Sequence, residues 1–212
     1  MARIKIGNVF PPLAWLMERC APAGFGLGGY CNPIDHWDNA IACGWYSSAN
    51  GSPTAATEST IWAGEVTADP STGQITQRVR SQGQYSQSEA VRHFFDNAWT
   101  SWEWVNPPMV AGTEYRTTER WQYKPVYTAL VDCGACVSPS KEIATELTCK
   151  SIIRHCGTVG GHNLPTINAT LDNAWSVWAM AMNSDGRVKI TVYSGTGMTT
   201  ERAYVQVWYT KD

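Results

Sequence analysis

Alternation of apolar and polar residues is the commonest pattern along this chain, and it predicts β-strands. Between residues 187 and 193 the alternation places Val188, Ile190 and Val192 on one face and polar or mixed side chains on the other. The same period of two runs through residues 203–210, whose odd-numbered members face one way and whose even-numbered members face the other. Both segments therefore indicate strands with one buried face.

Further strands are separated by turn-forming residues. The segment 142–153 contains acceptable helix formers, but its Thr and Ile residues are β-branched and favour a strand. Asp185-Gly186 has the signature of a hairpin turn. These patterns predict an all-β protein. The remaining predicted strands cover residues 39–47, 60–67, 74–80, 126–131 and 175–182.

One short helix is the exception to the β pattern. Pro11-Pro12 precedes Leu13, Leu16, Met17 and Cys20, which lie at helical spacing. Eight residues do not hold a helix alone, so the apolar stripe must pack on another surface. We favour copies of itself in an oligomer over the domain that follows.

An internal boundary falls after an aromatic strand. Trp99, Trp102 and Trp104 precede Asn106-Pro107-Pro108, where prolines cannot continue a β-ladder. The sequence therefore predicts two small antiparallel domains after the short N-terminal helix. We assign residues 1–23 to a lead-in, 24–108 to the first domain, 109–128 to a connector and 129–212 to a β-sandwich head.

Composition narrows the classes of function. Only 16% of the residues are charged, the net charge is -2 and the sequence contains no run of Lys or Arg, which argues against nucleic-acid binding. The chain lacks an apolar run of about 18 residues and a signal-peptide pattern in its first twenty residues. We expect no membrane insertion, and assembly in the cytosol.

The seven cysteines pose a question about metal. Cys133 and Cys136 have the spacing of a zinc knuckle. The other residues that would complete a tetrahedral shell lack a standard spacing, so we favour mostly buried thiols, with a Cys133–Cys136 or interchain disulfide as an alternative. We predict neither metal nor cofactor, but leave the metal question open. Those other residues are Cys149, His155, Cys156 and His162.

Catalytic patterns are missing from the sequence. A glycosidase needs two carboxylates about 5 to 10 Å apart, and the aspartates mostly fall in apparent turns that explain them. The chain has no Gly-x-Ser-x-Gly elbow, and its glycine-rich segment 24–30 lacks the Lys-Ser/Thr of a phosphate loop. We therefore predict that the protein is not an enzyme. The aspartates considered are Asp35, Asp38, Asp96, Asp172 and Asp185.

Half of the chain resembles a known module. Residues 43–47 (CGWYS), the strands that follow, and 91–105, with an arginine strand, a short turn and a W-x-x-W segment, resemble the pyocin-knob module of phage tail fibres and phage-tail-like bacteriocins. Residues 106–109, 112–120 and 124–127 are similar to the joint before the terminal head domain of tail-fibre proteins. The resemblance spans about residues 20 to 128.

The resemblance implies a homotrimeric fibre tip whose β-sandwich head binds the bacterial surface. Sugars are bound by aromatic faces beside amides and carboxylates, although a tryptophan on a strand more often belongs to a core or a subunit interface. The knob tryptophans are the stronger core candidates. The candidate ligand-binding residues of the head are Asn173, Trp175, Trp178, Tyr193, Tyr204 and Trp208.

The sequence therefore predicts a non-enzymatic tail-fibre tip that binds a cell-wall or surface polysaccharide. Its other partners would be tail or baseplate proteins, and its location the virion tail after assembly in the bacterial cytoplasm. Two alternatives remain open. One is a depolymerase at the fibre tip, and the other is a structural spacer or assembly protein.

Overall fold

The computed structural model describes residues 31–53, 61–83, 88–135, 140–159, 162–164, 176–181, 186–193 and 202–211. Within these ranges the chain is almost entirely β, with one short 3₁₀ helix, so the predicted all-β class is confirmed. None of the described helices is long and apolar enough to cross a membrane. The predicted helix at residues 11–20 lies outside the described ranges.

The chain divides into two compact units, Met1–Pro108 and Met109–Asp212. Within unit 1 the strand order is β1-β2-β3-β4-β5-β7, and β6 pairs with β5. Neighbouring strands are antiparallel except β1 and β2. The elements are β1 (Asn32–Pro33), the 3₁₀ helix (Trp37–Asn39), β2 (Gly44–Ser48), β3 (Trp62–Ala68), β4 (Ile75–Ser81), β5 (Glu89–Phe95), β6 (Ala98–Trp99) and β7 (Glu103–Asn106).

Side chains on one face of the unit 1 sheet form the hydrophobic core of that unit. Val66 and Val79 are fully buried there, and Trp62 meets Trp104 edge-to-face at 5.9 Å between ring centroids. A side chain at position 64 would not fit, because a Cβ on Gly64 would stand 2.1 Å from the carbonyl oxygen of Arg78. The predicted strands at 60–67 and 74–80 are thus confirmed as β3 and β4.

A buried arginine fixes the loop around the 3₁₀ helix to this core. The guanidinium of Arg92 lies 4.2 Å from the ring centroid of Trp99 and 4.5 Å from that of Trp102. Its Nε donates to Gln77 Oε1 at 2.8 Å, and its Nη2 donates to Asp38 Oδ1 at 2.7 Å. Burial lowers the pKa of Arg92, while the bond to Asp38 opposes that shift.

The amide of Gln77 completes this network. Its Nε2 donates to the carbonyl oxygens of Trp37 at 2.7 Å and Ala40 at 2.9 Å. A buried amide with all these partners carries no desolvation penalty from unpaired groups. The tryptophans of the W-x-x-W segment and Arg92 therefore act in the scaffold of unit 1.

Unit 2 is a β-sandwich. One sheet has the order β8-β9-β15-β11-β12 and the other the order β10-β14-β13. Core residues from both sheets, such as Val188, Ile190, Val205 and Val207, form a single buried cluster. Its strands are β8 (Glu114–Trp121), β9 (Lys124–Ala135), β10 (Ser140–Thr148), β11 (Ser151–Val159), β12 (His162–Leu164), β13 (Ser176–Ala181), β14 (Arg187–Tyr193) and β15 (Arg202–Thr210).

The alternation in β14 and β15 is confirmed. Val188, Ile190 and Val192 are at most 1% exposed, and the odd-numbered residues of 203–210 are fully buried. Thr210 is a local exception to the alternation, since it is only 2% exposed. The backbone N–H of Lys150 donates to the carbonyl oxygen of Thr210 at 2.6 Å, and this contact covers the end of β15.

Two segments differ from their predictions. Residues 142–153 are not one strand: Cys149 and Lys150 separate β10 from β11, which lie in different sheets. The backbone N–H of Cys149 donates to the carbonyl oxygen of Gly186 at 2.8 Å, and this bond anchors the crossing between the sheets. Residues 109–128, predicted as a polar connector, contain β8 and the start of β9, which pair as a hairpin.

Candidate functional site

The outer face of β15 carries aromatic side chains because its strand alternates. Tyr204, Gln206 and Trp208 are partly exposed, whereas their odd-numbered neighbours are buried in the sandwich. Residues two apart on a strand share a face and lie about 6.8 Å apart. Tyr204 and Trp208 therefore stand on one surface with room for a polar group between them.

Trp208 is held beside a cation. Arg154 pairs with it across β11 and β15, and the guanidinium carbon lies 4.5 Å from the ring centroid of Trp208. Arg154 Nη2 also donates to Glu119 Oε1 at 2.6 Å. The side chains of Arg154 and Glu119 are 51% and 46% exposed, so this pair adds little stability and remains within reach of a ligand.

Tyr204 has a similar partner at the other end of the face. The guanidinium of Arg202 lies 5.9 Å from its ring centroid. Arg202 Nε donates to both carboxylate oxygens of Asp132, at 2.9 and 3.1 Å. This bond lowers the pKa of Asp132, with a further contribution from the backbone N–H of Gly134. Asp132 is therefore an ionised hydrogen-bond acceptor at neutral pH.

The middle of the face is occupied by an amide. Gln206 Nε2 donates to Thr128 Oγ1 at 3.1 Å and lies 3.5 Å from Met109 Sδ. The Thr128 hydroxyl in turn donates to the carbonyl oxygen of Val207 at 3.0 Å. These bonds fix the Gln206 side chain between the two aromatic residues.

The end of the β8–β9 hairpin adds two exposed aromatic residues that sequence reasoning missed. Trp121 is 48% exposed and Tyr123 is fully exposed. Gln122 and Tyr123 have φ values of +50° and +67°, a left-handed conformation that Asn or Gly adopts more easily. The only available signal was an aromatic pair around one Gln, and it was interpreted as part of a connector.

The four described candidate residues lie on two different sheets. Asn173 and Trp175 lie outside the described residues. Trp178 is in β13 opposite Thr191, and Tyr193 is in β14 opposite Ser176, so both belong to the three-stranded sheet. Among the described candidates, Tyr204 and Trp208 share strand β15. Arg154, Glu119, Arg202 and Asp132 are additional members of their surface.

The five described cysteines are not mostly buried, in contrast to the expectation. Among the described cysteines Cys133 and Cys149 are buried, Cys43 and Cys156 are exposed, and Cys31 is intermediate. Each of these five is a free thiol. The expectation is wrong for the exposed pair because Cys43 belongs to the edge of a loop and Cys156 to the outer face of β11, opposite Gln206.

The structure tests part of the possible metal site formed by Cys133, Cys149, His155 and Cys156. No group of three or more metal-ligating side chains occurs among the described residues. Cys136 and the side chain of His162 lie outside those residues. Cys133 and Cys149 pack in the hydrophobic core cluster of unit 2, and burial raises the pKa of the Cys149 thiol. A protonated thiol in a core acts as a small apolar group.

Comparison with solved structures finds pyocin tail fibres. The chain is similar to an N-truncated R2-type pyocin tail fibre (10% identity, TM-score 0.28), with 84% of this chain and 97% of that chain covered. It is also similar to the R1 pyocin fibre of P. aeruginosa (8% identity, TM-score 0.29, coverage 84% and 67%) and to its R2 pyocin fibre (10% identity, TM-score 0.30, coverage 87% and 68%).

No family model matches the chain, and the search of curated proteins found no match. The three solved structures belong to the class of protein that residues 20–128 resemble in sequence.

Proposed function

We propose that this chain is the tip protein of a tail fibre, on a phage or a phage-tail-like particle, and that it attaches to a bacterial surface glycan without cleaving it. The observation that carries the proposal is the surface of β15, where Tyr204 and Trp208 are partly exposed, each beside an arginine. The resemblance of residues 20–128 to tail-fibre modules supports the assignment to a fibre.

The chemistry of this surface suits sugars. An indole or phenol ring packs against the C–H face of a pyranose, and such rings offer contact area at low cost in conformational entropy. Sugar hydroxyls can donate to the carboxylates of Glu119 and Asp132 and accept from the guanidiniums of Arg154 and Arg202. The exposed ring of Trp121 extends the aromatic area of unit 2.

A test of binding uses the intact chain on an array of bacterial surface oligosaccharides. We expect the wild-type chain to bind a restricted set of these glycans. The variant Trp208→Ala should lose most of this signal, whereas Trp178→Ala, on the other sheet, should lose less. An array without any bound glycan would count against the adhesin and favour the structural spacer.

The proposal includes the absence of catalysis. The two carboxylates on the surface each accept hydrogen bonds from an arginine, and the pKa of Asp132 is lowered, whereas a glycosidase needs an acid with a raised pKa. Incubation with any glycan that binds should release no new reducing ends. Release of reducing ends would identify a depolymerase instead.

We also propose that three copies form the working fibre tip, other tail or baseplate proteins being its neighbours. Support comes from the resemblance and from the apolar stripe of Leu13, Leu16, Met17 and Cys20. Three linked copies raise the avidity of a weak sugar contact through effective concentration. Sedimentation equilibrium should give three times the 23.4 kDa of one chain. A stable monomer would contradict this part of the proposal.

A further inference from the structure

The outer face of the unit 1 sheet carries an exposed tryptophan that the proposed function does not use. Trp45 in β2 is 37% exposed and stands opposite Glu65 in β3. The next strands place Arg78 and Val91 opposite each other on the same face. This face is the reverse of the one that packs Val66 and Val79 into the core.

Two depressions on this face share residues and form one groove. A depression of about 370 Å³ and a smaller one of about 70 Å³ both include Glu65 and Arg78. The larger volume falls within the range of about 300–1,000 Å³ that is typical of ligand pockets. Thr67, Thr76, Val91 and Val105 also line the larger depression, and Trp45, Ala63, Gly64 and Arg80 also line the smaller one.

The groove carries charges of both signs. Arg78 and Arg80 both donate through Nε to Glu89, the latter at 3.1 Å, and Glu65 is the second acid of the face. Glu103, which pairs with Val91, is a third carboxylate of this face and is only 4% exposed. The face therefore has no excess of positive charge to attract an anionic polymer. Arg80 is 66% exposed while Glu89 is 13% exposed, so the arginine remains accessible to a ligand.

We propose that this groove is a second carbohydrate-binding surface, specific for neutral, hydroxyl-rich oligosaccharides. The ring of Trp45 packs on a pyranose face, Glu65 accepts hydrogen bonds from sugar hydroxyls, and Arg80 donates to them. The proposal adds a contact on unit 1 to the proposed function. It does not require the Trp208 surface to bind, so each can fail without the other.

The test starts from the intact chain carrying Trp208→Ala, on an array of neutral and acidic bacterial oligosaccharides. We expect this variant to retain binding to neutral glycans. Addition of Trp45→Ala should weaken the retained binding about tenfold, because a sugar–aromatic contact and its desolvated surroundings are lost. Addition of Phe95→Ala is the matched control, because Phe95 is 54% exposed and lines neither depression.

A second substitution in the groove, at Glu65, changes its chemistry without removing a side chain that could be needed for folding. Glu65→Gln preserves the shape of the side chain but removes an ionised acceptor, and it should weaken binding about fivefold to tenfold. Asp96→Asn, in an exposed turn, removes the same charge and should change nothing. The proposal is overturned if the Trp208→Ala chain binds no neutral glycan, if it binds only acidic glycans, or if neither groove variant lowers its binding. Unequal thermal melting of the variants would be corrected by measuring all of them well below their melting temperatures.

Discussion

Arg92 joins the W-x-x-W segment of unit 1 to the loop around the 3₁₀ helix. Its guanidinium stacks on two tryptophans and binds Gln77 and Asp38, so its loss leaves a buried amide oxygen without its donor. We expect Arg92→Met to lower the free energy of unfolding by about 2–4 kcal/mol. Denaturant titration measures this loss. Arg80→Met, on the surface, should cost no more than about 0.5 kcal/mol, and equal losses would contradict the account.

Asp132 gives the surface around Tyr204 a pH dependence. The hydrogen bond from Arg202 lowers the pKa of Asp132 in the folded protein. The contribution of Asp132 to stability is therefore complete above the pKa of an aspartate in the unfolded chain, about 3.9. That contribution is lost as the pH falls through the lower, folded value. Asp132→Asn should therefore melt at a lower temperature than the wild-type chain at pH 7, and the difference should shrink towards zero near pH 2. If the difference in melting temperature between the two proteins does not change with pH, the ion pair between Asp132 and Arg202 does not stabilise the fold.

At the scale of elements, the turn of the β8–β9 hairpin places an exposed aromatic ring in a backbone conformation that is unfavourable for its residue type. Gln122 and Tyr123 occupy left-handed positions where Asn-Gly is preferred. Replacement of both by Asn-Gly should raise the free energy of unfolding by about 1 kcal/mol. If the exposed ring of Tyr123 contacts the receptor, the same change should weaken glycan binding. Differential scanning calorimetry measures the effect on folding, and isothermal titration calorimetry measures the effect on binding. If the Asn-Gly variant is less stable than the wild-type chain, the backbone of Gln122 and Tyr123 is not strained.

The same elements show what the sequence could predict. The period of two in β14 and β15 identified both strands, and in β14 also the buried face, because one face of each strand lies in the sandwich core. The break between β10 and β11 was missed because Cys149-Lys150 carries no turn-forming residue. The β8–β9 hairpin was missed for the same reason at Gln122-Tyr123. The turn at Cys149-Lys150 is held by hydrogen bonds to the carbonyl oxygens of Gly186 and Thr210, which are distant in the sequence and leave no local signal.

At the scale of the molecule, the candidate surface joins residues that are distant in the sequence. Trp208 and Tyr204 were predictable as outward-facing aromatics, but Arg154 and Glu119 come from β11 and β8. Their contact depends on strand order, which alternation does not encode. The knob tryptophans were predicted as core residues. Trp104 is 6% exposed, and Trp99 and Trp102 enclose the buried Arg92.

The most direct test of glycan attachment through the outer face of β15 is the affinity of the intact chain for a glycan that binds it on the array, measured by isothermal titration calorimetry. The account predicts that Trp208→Ala weakens this affinity at least tenfold, which is about 1.4 kcal/mol, and leaves the melting temperature nearly unchanged. Phe95→Ala serves as the exposed aromatic control and should bind as the wild-type chain does. Equal affinities of all three proteins would contradict the assignment of this face.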